Sequence, residues 1–378
     1  MKVGVDVRVL STGSHSGIEE YTSDLLGELT KNNPETEFKL FSSSFKIPNF
    51  NYDWADQSNV SFAISKMPSR LLFVSSKFIN WPKIDKKIGG VDVFLSPHFF
   101  SALSRDCRSI SIFHDLAFLR YPEFFSIKQN FWHKFQINSK KRIEQSDHII
   151  AVSQSTKNDL IDLLGVDPKN ITVAYPGVNN SLRIAVSKEK KIKVRQKYNL
   201  SENFILFVGT LEPRKNVVGA IKAFELVKSE VNDDNLDLVL MGRKGWLSDE
   251  IFESINKSIF KKNIKWLGFV PDEDRSTIYQ NSSIVLYPSF FEGFGFPPLE
   301  AMASGVPVVT SRVASIPEVV GGSAILVDPY SVEEIAKGVI RLIEDKNFAD
   351  NLIKKGLKQS QKFDWKITAQ KIYQTFDL

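Results

Sequence analysis

Two glutamates seven residues apart are the sharpest chemical feature of the chain: Glu292 and Glu300 enclose the string EGFGFPPLE. Pro297 and Pro298 suit the first turn of a helix, where a missing N–H costs little. The spacing therefore places Glu292 in a loop and Glu300 about one turn inside the helix that follows. Gly293 and Gly295 let the backbone approach a ligand closely, and the unpaired amides of a helix start favour an anion such as phosphate. A carboxylate on each side of that anion can accept hydroxyl protons, so the string suits a sugar–diphosphate–ribose ligand. It also fits a proline-started helix bearing two solvated glutamates. A second candidate is GTLEPRKN (209–216), straight after an apolar strand. There Arg214 and Lys215 can neutralise a diphosphate, Arg in bidentate fashion and Lys as a point charge. His114 and Asp115 follow another strand, where an imidazole can bond a hydroxyl or polarise a leaving group; taken alone, such a pair is more often structural. TGSHSG (12–17) can approach a phosphate through its amides, yet does not match the dinucleotide-binding G-x-G-x-x-G.

Several chemistries are disfavoured. Cys107 is the only cysteine, so an intramolecular disulfide is impossible and a Cys-based zinc site is strongly disfavoured. His15, His98, His114, His133 and His148 show no H-x-x-x-H spacing, and Asp272-Glu273-Asp274 reads as an acidic helix start. No metal is expected. There is neither a G-x-S-x-G elbow nor a phosphate-binding G-x-x-x-x-G-K-[ST] loop.

The elements that position these residues follow from hydrophobic periodicity. Strands are expected at Val3–Val9, Phe38–Phe41, Val60–Ile64, Val91–Leu95, Ser109–Phe113, His148–Val152 and Ile171–Ala174. A second series is expected at Phe204–Val208, Leu236–Leu240, Ile264–Trp266, Ile284–Tyr287, Val306–Thr310 and Ala324–Val327. Ile18, Tyr21, Leu25 and Leu29 hold helical spacing after the first strand. Further helices are expected over Arg70–Asn80, Ile127–Gln145 and Ser155–Leu164, and three beyond Val332. Alternation of this kind predicts an α/β chain with two Rossmann-like doubly wound domains and ligands beyond the strands' carboxyl ends, in a cleft between the facing domains. The expected boundaries are 1–182, a basic connector at 183–200, 201–362, and a helix at 363–378 that returns to the first domain. The chain has 378 residues and a net charge of +5, which favours anionic partners without demanding nucleic acid. Nothing approaches a membrane-spanning run, and Asp6 and Arg8 interrupt any leader-like apolar stretch; a cytoplasmic protein is expected. Lys66–Lys87 interleaves six basic residues with apolar ones, a pattern for a helix lying on anionic lipid or simply for a surface helix.

Taken together, these features resemble glycosyltransferase family 4, retaining enzymes of the GT-B fold. The resemblance runs through FHDLAFLRYPEFF (113–125), AVSQSTKNDL (151–160), VAYPGVN (173–179), VGTLEPRKN (208–216), GRKGW (242–246), LGFVPDEDRSTIYQNS (267–282), EGFGFPPLEAMASGVPVV (292–309) and FDWKITAQKIYQTF (363–376). It implies that Glu292 contacts the donor sugar and Glu300 the ribose, while Arg214 and Lys215 hold the diphosphate. By the same resemblance, the amides of Gly295 and Phe296 cradle the distal phosphate and Gly17 approaches it. His114 stands by the reacting centre with Asp115 orienting it or the acceptor, and Gly242–Lys244 with Phe269 and Val270 flank the base. Several members carry an Arg after the glycine where this chain has Thr210, which leaves more of the phosphate charge to Arg214 and Lys215. The implied reaction moves a hexose, with mannose from GDP-mannose the expectation, onto a glycan or lipid-linked hydroxyl. It needs no cofactor or metal and proceeds by same-face attack. A nucleotide-sugar epimerase and a non-catalytic nucleotide-sugar-binding module are the alternatives.

Overall fold

A computed structural model describes the chain except residues 12–16, 44–51, 68–70, 73, 76–80, 99–105, 133–137 and 232. The chain divides into two compact units. Met1–Arg120, Ile127–Gly177 and Asp364–Leu378 form one; Tyr121–Ser126 and Val178–Phe363 form the other.

The first unit is built on seven parallel strands: β1 (Lys2–Asp6), β2 (Glu37–Ser43), β3 (Val60–Ser65), β4 (Val93–Ser96), β5 (Arg108–Phe113), β6 (His148–Ala151) and β7 (Ile171–Val173). Their order is β3-β2-β1-β4-β5-β6-β7, so the direction of winding reverses between β1 and β4. All residues of β4 and β6 are buried, as a strand covered on both faces requires. Helix α1 (Gly17–Asn32) buries Tyr21, Leu25, Leu26 and Leu29 at helical spacing. Helix α2 (Gln154–Leu164) starts at Ser153, whose hydroxyl accepts the Thr156 amide at 2.9 Å, and stops at Gly165 in the left-handed region. The helix Trp365–Gln374 packs on α1 in this unit. Tyr373 and Thr36 share a hydrogen bond of 2.8 Å, and a Cβ on Gly177 would stand 2.2 Å from the Trp365 nitrogen.

Two expectations are modified here. The first strand stops at Asp6 rather than Val9, because the Asp6 carboxylate accepts the Arg8 amide at 3.2 Å and Arg8–Ser11 turns into a short 3-10 helix. Among the described residues, the span 127–145 expected as one helix holds two helical segments, Ile127–Trp132 and Ser139–Glu144. The second is capped by Asn138 in the left-handed conformation, its side chain accepting from the Lys141 amide. Most of the expected helix at 70–80 and of the glycine loop 12–17 lies outside the described residues, as does part of the basic stretch 66–87.

The second unit repeats the plan with β8 (Phe204–Val208), β9 (Asp237–Met241), β10 (Ile264–Gly268), β11 (Ile284–Tyr287), β12 (Val308–Ser311) and β13 (Ile325–Val327), ordered β10-β9-β8-β11-β12-β13. Its core joins inward residues of β8, β9 and β11 to Ala220, Phe224 and Val227 of the helix Val217–Val231 and to Ile335 and Val339 of the helix Val332–Glu344. Residues 183–200, read as a connector, contain helix α3 (Lys188–Lys197), which buries only Val194. Lys197 and Tyr198 reach Asp274 at 2.6 and 2.8 Å, tying α3 to this unit. Helices α4 (Val217–Val231), α5 (Asp272–Asn281) and α6 (Phe296–Ala303) complete the surroundings of the site. Among the described residues no helix is long and apolar enough to cross a membrane.

Candidate active site

In the second unit β8 and β11 lie side by side at the reversal of winding, the place where doubly wound sheets bind ligands beyond their carboxyl ends. GTLEPRKN leaves β8 there, and the loop to Glu292 leaves β11. Gly209 and Gly242, which end β8 and β9, are back to back: a Cβ on Gly242 would lie 1.9 Å from the Gly209 oxygen, so only glycine fits. Pro213–Lys215 forms a 3-10 turn closed by Asn216 in the left-handed region. The Asn216 amide group donates to the Pro288 and Pro329 carbonyls at 3.0 and 2.7 Å, and the Phe290 amide donates to the Arg214 carbonyl at 2.9 Å. Two loops far apart in sequence are thus fastened main chain to main chain.

Their side chains converge on Glu292. Its Oε1 accepts from Lys215 Nζ at 2.7 Å, Tyr287 Oη at 2.7 Å and Ser289 Oγ at 2.6 Å, and its Oε2 accepts from Arg214 Nη1 at 3.0 Å. Burial acts to raise the Glu292 pKa, but Arg214 and Lys215, with the hydrogen bonds, outweigh it and bring the pKa down to about 2. Burial lowers the Lys215 ammonium, and Glu292 opposes the fall. Arg214 bonds Glu292, the Phe291 carbonyl at 2.7 Å and Glu212 at 2.7 Å. Glu212 is raised by burial, against the pull of Arg214. The two cations still have 12% and 13% of their side chains exposed.

Three residues beyond Glu292, Gly295 turns left-handed (φ 100°) and opens α6, with prolines in its first turn as the spacing predicts. A Cβ there would meet Ile316 at 2.5 Å. The Ser315 hydroxyl lies 2.9 and 2.8 Å from the Glu292 and Phe294 carbonyls and fixes the loop from below. Glu300, one turn in, is buried and accepts from Tyr279 Oη at 2.6 Å and from the Arg275 guanidinium. Over the flank, Phe124 stacks on Phe290 at 5.2 Å, Tyr121 meets Phe291 at 5.4 Å, and Trp246 donates to the Phe124 carbonyl at 2.9 Å. Gly242 and Lys244 follow β9, and Phe269 and Val270 follow the neighbouring β10. The Gly242 amide bonds the Gly268 carbonyl at 2.9 Å, and Arg243 lies over the half-exposed Phe269 ring at 4.6 Å.

In the first unit, Gly17 opens α1 and Tyr21, one turn on, meets the His114 ring edge-on at 4.7 Å. His114 Nε2 lies 2.7 Å from the Pro97 carbonyl, and burial lowers its pKa to about 4 against the pull of that bond. The imidazole is therefore neutral near pH 7, with Nε2–H donating to Pro97 and Nδ1 left as an acceptor. Asp115 Oδ1 accepts the Ala117 amide at 3.1 Å and so caps the short helix 117–120.

Comparison with known proteins decides the family. Residues 15–182 match the model described as Glycosyltransferase Family 4, and residues 188–359 match Glycosyl transferases group 1. O-antigen chain mannosyltransferase B of Escherichia coli is 31% identical over 274 residues, 72% of this chain and 71% of that one. The chain belongs to glycosyltransferase family 4. The serotype-specific mannosyltransferase WbdA of Escherichia coli is 29% identical over 69% of this chain, but only 32% of its own length is covered. Among solved structures, Anabaena HepE in complex with UDP and glucose superposes with a TM-score of 0.74 over 100% of this chain and 99% of that one, at 20% identity. The fold is that of GT-B glycosyltransferases.

Sequence reading overlooked several groups that this glycosyltransferase assembles around the predicted residues. Tyr287 and Ser289 finish β11 and complete the donors to Glu292. Glu212 sits inside the quoted motif and braces Arg214. Arg275 and Tyr279 stand four apart on α5, a spacing that puts them on one helix face and was visible in the sequence. What it could not reveal is that this face meets Glu300.

Proposed function

We propose that this glycosyltransferase moves a hexose, mannose from GDP-mannose, with retention onto a hydroxyl of a growing cell-surface glycan or lipid-linked acceptor. The observation that carries the reading is the convergence of Arg214 and Lys215 on Glu292 where β8 and β11 meet, beside the open start of α6. Two cations and a row of helix amides are what a departing nucleoside diphosphate needs, since charge that develops on the leaving group is best met by groups already in place. On this reading Arg214 and Lys215 exchange part of their hold on Glu292 for the diphosphate, and the Gly295 and Phe296 amides take the distal phosphate. Glu292 then accepts from sugar hydroxyls and Glu300 from the ribose. Gly242, Lys244, Phe269 and Val270 flank the base. In the first unit His114 keeps Nδ1 as an acceptor for a hydroxyl.

Glu292 is engaged by four donors and held as an anion, a poor arrangement for a nucleophile. We therefore favour attack from the face of the leaving phosphate, which takes the acceptor's proton. The charge stabilisation is supplied by side chains and amides, so turnover should persist in EDTA. Mannose is favoured by the mannosyltransferase names of the two Escherichia coli relatives. We place the enzyme in the cytoplasm, peripheral to the membrane through the basic stretch 66–87, with no role for nucleic acid.

A thermal-shift panel of GDP, UDP, ADP and their sugar conjugates tests the donor, because ligand binding to the folded state raises Tm. GDP-mannose should give the largest shift, and its turnover with a lipid-linked glycan should release GDP. A response to UDP-sugars alone would replace the donor; an epimer without acceptor would replace the reaction.

A further inference from the structure

Glu300 can accept about four hydrogen bonds, two on each carboxylate oxygen. Tyr279 uses one position on Oε2 and Arg275 one on Oε1. Both donors come from a single face of α5, and Arg275 is braced in turn by Asp272 at 3.7 Å in the first turn of that helix. With Glu300 only 5% exposed, the carboxylate plane is set by these two partners and not by solvent. One acceptor position then remains on each oxygen, side by side in a fixed plane. That is the complement of two adjacent hydroxyls on one ring.

We propose that Arg275, together with Tyr279, is a positioning residue that orients Glu300 to read the 2′,3′-diol of a ribose, and so makes the enzyme select ribonucleotides over their deoxy counterparts. The inference rests on the nucleotide-sugar reading of the site. Arg275 touches no ligand in this role. It acts by preventing the carboxylate from turning and by leaving each oxygen with a single open position. Loss of Arg275 frees Oε1 to rotate or to bind water, and the pairing with two neighbouring hydroxyls is spoiled. A ligand without those hydroxyls does not sense the change.

That difference supplies the test. Calorimetric titration of GDP, UDP and their 2′,3′-dideoxy counterparts would be run on the wild type, Arg275→Leu, Arg275→Lys and Tyr279→Phe. The wild type should favour the ribose form by about tenfold or more, the weight of hydrogen bonds to a charged group. Arg275→Leu should lose most of that preference while binding the dideoxy form as the wild type does. Arg275→Lys should restore part of it. Tyr279→Phe keeps the buried ring and should show the same selective loss through the other oxygen. Equal weakening of both ligand forms, or no weakening, overturns the role given to Arg275 and leaves the site reading standing. A wild type that binds neither GDP nor UDP overturns the site reading and this inference with it.

Discussion

The two sheets share one winding order, and each places an acidic side chain and cations where that order reverses. In the first unit Asp6, at the end of β1, receives Arg8 Nη2 at 2.6 Å and lies 3.0 Å from His98 Nε2, which follows β4. In the second, Glu292 receives Lys215 and Arg214. The difference is enclosure. Asp6 and His98 have no side-chain exposure and Arg8 has 3%, whereas Arg214 and Lys215 keep an open edge. Burial would raise the Asp6 carboxyl, yet Arg8 and His98 hold it below the usual carboxylate range. A sealed ion cluster can only hold the fold together; an unsealed one can trade a partner for a ligand. On the proposed reading, the same topology serves structure at one reversal point and chemistry at the other.

The hardest way to break this contrast is at its sealed end. Asp6→Ala removes the acidic member of the buried Asp6–Arg8 pair, and removing one member of a buried pair costs about 3–5 kcal/mol. Calorimetric melting should show a large drop in Tm for the variant. A Tm within a degree of the wild type would mean that the first cluster is not structural.

At the open end stability and activity should separate. Lys215→Ala removes one of four donors to Glu292, and Arg214, Tyr287 and Ser289 remain, so Tm should change little. Removal of a preorganised charge at a leaving group costs about 3–4 kcal/mol in the transition state, a fall in kcat of about 100–1000-fold. Steady-state turnover on the donor checks this. Equal losses of stability and activity would make the second cluster a copy of the first.

How much of this was legible beforehand follows the range of the interactions. β8 and β11 have the bounds that their apolar runs predict, Phe204–Val208 and Ile284–Tyr287, because Gly209 and Pro288 stop them locally. The same runs identify which loops leave a sheet edge, so Arg214 and Glu292 stand out by position. That β8 and β11 are neighbours is a property of the sheet, and with it comes the meeting of side chains 78 residues apart. Asp6 and His98 are linked only through the adjacency of β1 and β4, and no local pattern marks them. The end of β1 was misplaced for the same reason: the hydrophobic run continues to Leu10, but a carboxylate that captures its own chain two residues on overrules it.

His114 sharpens the contrast through pH. Its folded pKa, about 4, lies below the ordinary histidine value, so the unfolded chain binds more protons between the two. The stability this gives is present above about pH 6.5 and is lost as pH falls toward about 4. Arg142 and His98 disfavour the charged ring and Asp115 favours it. Unfolding free energy followed from pH 7 to 4 should decline less steeply in His114→Asn than in the wild type. Parallel declines would show that the ring is no more shielded than an exposed histidine.

The mildest break is Tyr287→Phe. Lys215 Nζ donates to the Tyr287 hydroxyl at 2.6 Å, and that hydroxyl donates to Glu292, so one oxygen relays between cation and carboxylate. The variant keeps the buried ring and both charges, along with the direct Lys215–Glu292 contact. Each lost hydrogen bond to a charged group is worth about 1.5–3 kcal/mol, but a relay removed whole leaves both ends with other partners, so the net effect should sit near the lower bound. Turnover should fall about tenfold, with Tm nearly unchanged. If kcat falls as far as in Lys215→Ala, the phenol is not a relay but a group that the reaction uses directly. If nothing changes, the Lys215 and Arg214 contacts alone hold Glu292, and the open cluster is simpler than its hydrogen bonds imply.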